Sequence, residues 1–320
     1  MHLVMIIFVQ RKKFVQRNLL FLIYVNSLGA DFSCPWYAFA DDFKLYAVHS
    51  RSTGIDNLLQ ADLDQLVSIS MSWNLRLNPT KCVVMRFGDR SSRVVPGVGS
   101  GYRVLGEELR LVNSHRDLGV TVDSQLKFHI HVGVVVNKAS ALVNQLLRST
   151  VCRSHEFMVT LFVSHVRPLL DYCSTVWNLG YLGDVRRLEA VQRRWTREVF
   201  GLSGMDYPSR LRQLKLFSVR GRMFRADLIK IWKAFHSEID VGLSSVFERQ
   251  SHVSTRGHSF KLSVPICRSE LRRRFFNVRN VSTWNNLPAT IVDAGSLDSF
   301  KKVRLDCHMS AHLFRTLDEV

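Results

Sequence analysis

Apolar residues at Ile55, Leu58, Leu59, Leu63, Leu66, Ile69 and Trp73 recur at intervals of three and four, which predicts an amphipathic helix. Asp56, Gln60, Asp64 and Gln65 fall on its wet side. Thr53 with Asp56 offers a capping pair at its start, and Asn78-Pro79 ends it. Ahead of this helix, Phe39, Phe43, Leu45 and Tyr46 favour strand; behind it, Lys81 to Phe87 reads as strand, followed by shorter ones over Val104–Leu111 and Arg116–Asp123. The Ser-, Gly- and Arg-rich stretch from Gly88 to Gly101 predicts an inserted loop.

After residue 124 the period is helical almost throughout. Lys127–Ser149 and Glu156–Leu170 are expected helices, the second broken or ended near Pro168. Asp184–Phe200 carries Val185, Leu188, Val191, Trp195 and Val199 along one side, and Leu211–Ile239 supplies one or two more helices. From 241 onward Gly, Ser and Arg rise, and Trp284-Asn-Asn-Leu-Pro marks a turn before a short helix at Leu297–Leu305. Met1–Val9 and Leu19–Val25 are apolar runs too short to span a bilayer, and the first has no basic region before it. They are read as buried helix whose packing partners are lost, with no membrane partner. The fold class that results is α+β.

Charge changes the picture. The 320 residues carry a formal charge of +17 and a pI near 10.1, on an ordinary hydrophobic share that makes the chain globular. Such an excess drives counterion-releasing contact with phosphates, so nucleic acid is the first partner to expect. Cysteines at 34, 82, 152, 173, 267 and 307 form no Cys-x-x-Cys pair, which argues against structural zinc and for reduced thiols in an intracellular protein. There is no glycine-rich phosphate loop, dinucleotide fingerprint or Ser-His-Asp arrangement.

The most informative chemistry is Ala38-Phe-Ala-Asp-Asp-Phe-Lys-Leu-Tyr46. Two adjacent carboxylates within an apolar, strand-forming run are costly unless something neutralises them, and a divalent cation would do so. A polar turn between strands also suits Asp-Asp.

Phe39-Ala-Asp-Asp-Phe-Lys-Leu-Tyr46 resembles the catalytic hairpin of reverse transcriptases from jockey-like non-long-terminal-repeat retrotransposons. Leu19–Asn26 is similar to the palm helix before it, Trp73–Gly88 to the next palm motif, and Asp117-Leu-Gly-Val-Thr-Val-Asp123 to the hairpin that supports the primer end. Further along, His165–Asn178 and Leu188–Arg194 resemble thumb and post-thumb helices, and Trp284-Asn-Asn-Leu-Pro288 with Ser299-Phe-Lys-Lys302 the C-terminal end. The resemblance runs in family order over roughly residues 18 to 305. It implies a truncated palm of one helix and antiparallel hairpins over 19–123, a helical thumb and post-thumb region over 124–240 and a C-terminal region over 241–320, after a divergent segment at 1–18.

The same resemblance implies a departure. The family's metal site takes one further aspartate from a strand well upstream of the Asp-Asp hairpin, followed by a Pro-Gln-Gly turn that positions the nucleotide. Only 40 residues precede Asp41, and none is read as that strand. Arg11–Asn18 stands where the turn is expected, without Pro or Gly, and Ser27 follows Asn26 where the family often has an acid.

Implied roles follow. Asp41 and Asp42 would ligate Mg²⁺, weakly, and Lys81 would stand near the leaving pyrophosphate as a general acid, with a surface lysine the alternative. RNA template, DNA primer and deoxynucleotides are the implied partners. The segment Arg186–Lys230 holds twelve Lys or Arg against four acids, and Arg187, Arg194 and Arg197 share a helical face suited to a nucleic-acid backbone. A second cluster, Arg268, Arg272, Arg273, Arg274 and Arg279, is expected on a loop. His129 and His131 have a strand-like spacing and read as core or surface residues. Two functions are open: a reverse transcriptase fragment inactive alone, or a non-catalytic nucleic-acid-binding remnant.

Overall fold

The computed structural model describes residues 2–9, 31–40, 42–49, 55–75, 77–88, 100–236, 242, 244–250 and 257–317. The expected helix at Leu19–Asn26, the segment Arg11–Asn18, Asp41, Thr53, Arg76 and most of the loop at 88–101 lie outside them. The chain divides into two compact units, Met1–Leu126 and Lys127–Val320.

The first unit is a five-stranded sheet with a helix. Its strands are β1 (His2–Val9), β2 (Trp36–Phe39), β3 (Asp42–His49), β4 (Val83–Phe87) and, after the two-residue strands β5 (Arg103–Val104) and β6 (Glu107–Glu108), β7 (Arg110–Leu111). Their order is β2-β3-β1-β4-β7, antiparallel except for the β4–β7 pair. Strand β3 alternates: Phe43, Leu45 and Ala47 are buried, while Asp42, Lys44 and Tyr46 are half-buried on the other face. The buried set packs with Leu59, Leu63 and Leu66 of helix α1 (Ile55–Ser72) and with Val84, Tyr102 and Leu109.

Asp62, buried on α1, accepts hydrogen bonds from the N–H groups of Ser33 and Cys34 at 3.0 and 2.7 Å, anchoring the approach to β2. Burial, then its neighbour Asp62, pushes the Cys34 thiol up to about 12. Gln60, expected in water, instead brackets Arg103, accepting from its N–H and donating to its carbonyl at 3.0 Å each.

The first nine residues correct the sequence reading. His2–Val9 is a strand, not a helix, and it lies between β3 and β4. A short continuous apolar run cannot be assigned by period alone. The β-branched Val4, Ile6, Ile7 and Val9 favour the extended form, and two flanking strands satisfy its backbone.

A two-residue turn, Leu118-Gly119, joins β8 (Ser114–Asp117) to β9 (Val120–Asp123). Both turn residues have positive φ, 44° and 86°, the requirement of a type I′ hairpin.

The second unit is helical. Helix α2 (His129–Ser149) forms within the expected Lys127–Ser149 and carries both His131, which is buried, and the exposed His129. Val132, Val135, Ala139 and Val143 recur at helical spacing along its buried side. By length and composition α2 is long and apolar enough to cross a membrane; in the fold this buried stripe packs within the unit, against α6 (Leu182–Arg197) among others.

Between them the chain does not break at Pro168. It runs through α3 (His155–Leu161), a π-helical turn (Phe162–Val166) and α4 (Arg167–Asp171), with Pro168 in the first turn of α4. A proline lacks the N–H that would bond to Ser164 and crowds that carbonyl, and the widened turn upstream relieves both. The short α5 (Ser174–Trp177) leads to α6, then α7 (Tyr207–Leu214) and α8 (Val219–His236). Leu228, Ile231 and Trp232 of α8 share one core with Trp284, Val292, Phe300 and Leu313, so the C-terminal segment packs onto α8. The short helix expected at Leu297–Leu305 is a π-helical stretch over Ser299–Leu305.

Candidate active site and nucleic-acid interface

The hairpin β2–β3 closes with Phe39 opposite Asp42. Ala40 has φ 50°, left-handed backbone that hairpin turns of this length require. Asp42 therefore opens β3, at one end of the sheet, and its cross-strand partner on the other side is Val9 of β1.

Lys81 ends a single 3₁₀ turn, Pro79–Lys81, whose exposed side chain precedes β4. Asn78 fixes this turn, its carbonyl accepting from the Lys81 N–H at 3.1 Å and its Oδ1 from the Thr80 hydroxyl at 2.7 Å. Ile7 pairs with Val83, and Val9 with Asp42. Lys81 and Asp42 thus sit at the same end of the sheet on either side of β1, separated by two strand spacings of about 4.8 Å each.

The partly wet face of the hairpin holds more than the aspartates. Tyr37 and Tyr46 stack, ring centroids 5.7 Å apart and 5° from parallel. Lys44 reaches Asp117 at the end of β8, with Nζ 2.6 Å from Oδ1 and 2.8 Å from Oδ2. His115 has its pKa lowered by burial, against the pull of Asp117, and Asp42 is among the further charges that act on it. The hairpin expected to support a primer end and the Asp42 strand therefore share one electrostatic neighbourhood. Sequence reasoning missed Lys44 and His115, since nothing local pairs residues more than 70 positions apart.

Whether these residues fit a metal is a question of donors. Among the described residues no group of three or more His, Cys, Asp or Glu could hold a metal ion. Asp42's cross-strand neighbours are Phe39 and Val9, which bring no side-chain oxygen. The described residues do not make a two-ion cage, and Asp41 lies outside them.

In the second unit α6 buries Val185, Leu188, Val191 and Trp195 and exposes Arg186, Arg187, Ala190, Arg194 and Arg197. The expected arginine face is present. Arg187 lies 3.8 Å from Asp184, which also holds His129 at 2.6 Å. Among the described residues no acid pairs with Arg194 or Arg197, whereas Arg193 turns aside onto the Tyr207 ring, 4.8 Å from its centroid.

The second arginine cluster is different from its expected loop. Glu270–Arg273 and Phe276–Arg279 are short helices, and the last two arginines are committed inward. Arg279 grips the buried Asp227 through two bonds of 2.7 and 2.8 Å, and donates to the carbonyls of Thr175 and Asn178. Arg274 bonds Glu270 at 2.9 Å and the Leu179 carbonyl at 3.2 Å. The Asp227 carboxylate for Arg279, and the Leu179 carbonyl for Arg274, lie far along the chain and draw them inward.

No protein-family model matches the chain. The RNA-directed DNA polymerase from the mobile element jockey of Drosophila funebris is 24% identical over 242 residues, 74% of this chain and 24% of that protein. Its counterpart in Drosophila melanogaster is 23% identical over 174 residues, 51% of this chain and 18% of that protein. An uncharacterized protein of Caenorhabditis elegans is 27% identical over 128 residues, 39% of this chain and 63% of that protein. The chain spans a quarter or less of the length of the two polymerases it matches. At these low identities it has a reverse transcriptase-like relationship to the RNA-directed DNA polymerases of jockey elements.

Proposed function

We propose that this chain is a portion of a non-long-terminal-repeat reverse transcriptase that, assayed alone, binds nucleic acid without polymerising it. One observation carries the reading. The strand beside the Asp42 hairpin is in place, yet Val9 stands opposite Asp42 and no residue of His2–Val9 is acidic. The polymerase reading needs a carboxylate from a neighbouring strand, and this one supplies none.

Phosphoryl transfer to a primer hydroxyl depends on position and charge more than on covalent work by the protein. In the proposed arrangement Asp41 and Asp42 bind Mg²⁺ weakly, because two carboxylates alone must offset the dehydration of the ion. When bound, such ions would stabilise the attacking and leaving oxygens. Lys81, at the same sheet end as Asp42, is proposed to face the leaving group. The Leu118-Gly119 turn would approach the primer. RNA template and DNA primer are the proposed partners, contacted in the second unit by Arg187, Arg194 and Arg197.

The second reading, a non-catalytic binding remnant, is favoured by the same apolar strand. Primer extension on a homopolymeric RNA template with Mg²⁺ or Mn²⁺ tests both, comparing the chain with its Asp41→Ala, Asp42→Ala form. Neither should extend, while both bind the template. Extension by the unsubstituted chain alone would refute the proposed inactivity. Absence of template binding at low ionic strength would refute both readings.

A further inference from the structure

Helix α8 carries a largely basic stripe along one side. Arg222, Arg225, Ile229 and Lys233 follow one another at intervals of three and four, with Lys230 beside them. This stripe lines a cavity of about 340 Å³, whose other walls include Arg167, Asp171, Ser174, Thr175 and Lys301. Six cationic side chains thus converge on a space that one carboxylate, Asp171, shares.

That carboxylate is already engaged. Asp171 takes Arg167 at 3.0 Å and Arg222 at 3.1 Å. Arg225 is held by Asp306, at 2.5 and 3.0 Å. Lys230, Lys233 and Lys301 have no acidic partner among the described residues. Beneath them Arg222 is 4% exposed, and its Nη2 has no hydrogen-bond partner among the described residues. Its Nε and Nη1 are answered by Asp171, the Gln192 side-chain oxygen and the Phe217 carbonyl. The charge left without an acidic partner at the cavity is therefore that of the three lysines, where low-dielectric walls concentrate it.

We propose that this cavity is a phosphate-binding site, separate from the arginine face of α6. The three lysines supply mobile ammonium donors to phosphate oxygens, as point charges suited to a tetrahedral anion. Ser174 and Thr175 add hydroxyls at the wall, and the buried Arg222 adds charge without direct contact. Phosphate is shared by two sources, the backbone of a nucleic-acid strand and a free phosphate compound such as pyrophosphate. The site does not depend on polymerase activity, since none of its residues belongs to the first unit.

The test uses the full chain with Lys230→Gln, Lys233→Gln and Lys301→Gln combined, side chains exposed enough to be changed without opening the core. The control removes equal charge elsewhere, through Lys138→Gln, Arg148→Gln and Lys215→Gln. Pyrophosphate binding is read by calorimetry, and binding of a labelled single-stranded RNA by anisotropy from 50 to 200 mM salt. The cavity variant should lose saturable pyrophosphate binding while the control keeps it. If a strand fills the site, the log–log salt slope for RNA also falls by about 2, at roughly 0.7 per phosphate contact. An unchanged RNA slope with lost pyrophosphate binding assigns the site to a free phosphate compound. Unaltered binding of both probes, or equal losses in the control, would overturn the proposal.

Discussion

Lys44 Nζ sits 2.6 Å from Asp117 Oδ1 and ties the strand that begins with Asp42 to the β8–β9 hairpin. Both side chains are only 15–20% exposed, so the pair is shielded from much of the screening that makes surface ion pairs negligible. Lys44→Met leaves the half-buried Asp117 without its ammonium partner and should cost about 1–3 kcal/mol. Asp117→Asn should cost less, because an amide oxygen still accepts from the ammonium. A double-mutant cycle in urea melts measures the coupling, and a value near zero would mean that the two hairpins are held by packing alone.

Leu118 illustrates the opposite situation, a local choice that conflicts with its backbone. It is 41% exposed, β-free of branching, and yet holds φ 44° at the tip of the β8–β9 turn. Left-handed backbone costs a side chain of this kind about 1–2 kcal/mol, and Asn bears it more easily. Leu118→Asn should therefore stabilise the first unit by about 0.5–1 kcal/mol. A lower melting temperature would show instead that the leucine side chain is holding the turn down.

Buried in the second unit, His258 accepts the Phe260 N–H through Nδ1 at 3.2 Å, so its proton is on Nε2, which donates to the Trp284 carbonyl at 3.0 Å. Acceptance at Nδ1 requires the neutral ring, whereas the Nε2 donation to Trp284 survives protonation. Burial is the main cause that lowers its pKa from 6.5. The unfolded chain consequently takes up a proton first as pH falls below that value, and stability is lost with acidification in that window. The slope is at most about 1.4 kcal/mol per pH unit for one proton. His258→Gln should be less stable at pH 7.5 and show a flatter dependence between pH 7 and 5.

Arg279 and Asp227 make the most exacting contact of the helical unit. Asp227 is 2% exposed and also accepts from the Asn280 amide at 2.6 Å. Burial raises its pKa, and Arg279 opposes that shift. Arg279→Met strands a buried carboxylate and should cost about 3–5 kcal/mol, with Asp227→Asn in the same chain recovering part of the loss. Retained stability in the single variant would show that water reaches the carboxylate.

What the sequence disclosed follows the range of the forces involved. Helices α1, α2 and α6 are legible because Leu59, Leu63 and Leu66, or Val185, Leu188, Val191 and Trp195, recur at steps of three and four. The Asp42 hairpin was legible from Phe43, Leu45 and the turn residues. Strand β1 was not, since an unbroken apolar run suits a buried strand and a buried helix equally. Neither was the role of Arg279, whose carboxylate partner Asp227 lies 52 residues away, nor the bond from Arg274 to the Leu179 carbonyl, 95 residues away. Charge patterns reveal that cations cluster; they do not reveal which cations are already paired.

That distinction governs the expected binding behaviour. Of the twelve cations between Arg186 and Lys230, Arg193, Arg210, Arg222 and Arg225 are occupied by rings, carbonyls or carboxylates. Arg194 and Arg197 are exposed without an acidic partner among the described residues, and Arg187 has only a loose one at 3.8 Å. Contact of a strand with the α6 face would therefore release counterions through these three. A single-stranded RNA or DNA should bind with little sequence preference and a log–log salt slope steeper than about −3, from several contacts at roughly −0.7 each. Arg187→Ala, Arg194→Ala and Arg197→Ala together should flatten that slope by about 2. Arg193→Ala should leave it almost unchanged but lower stability, because its guanidinium packs on Tyr207. A flat salt response in the unsubstituted chain, or equal effects of all four arginines, would mean that α6 is a solvated face and that the charge serves another purpose.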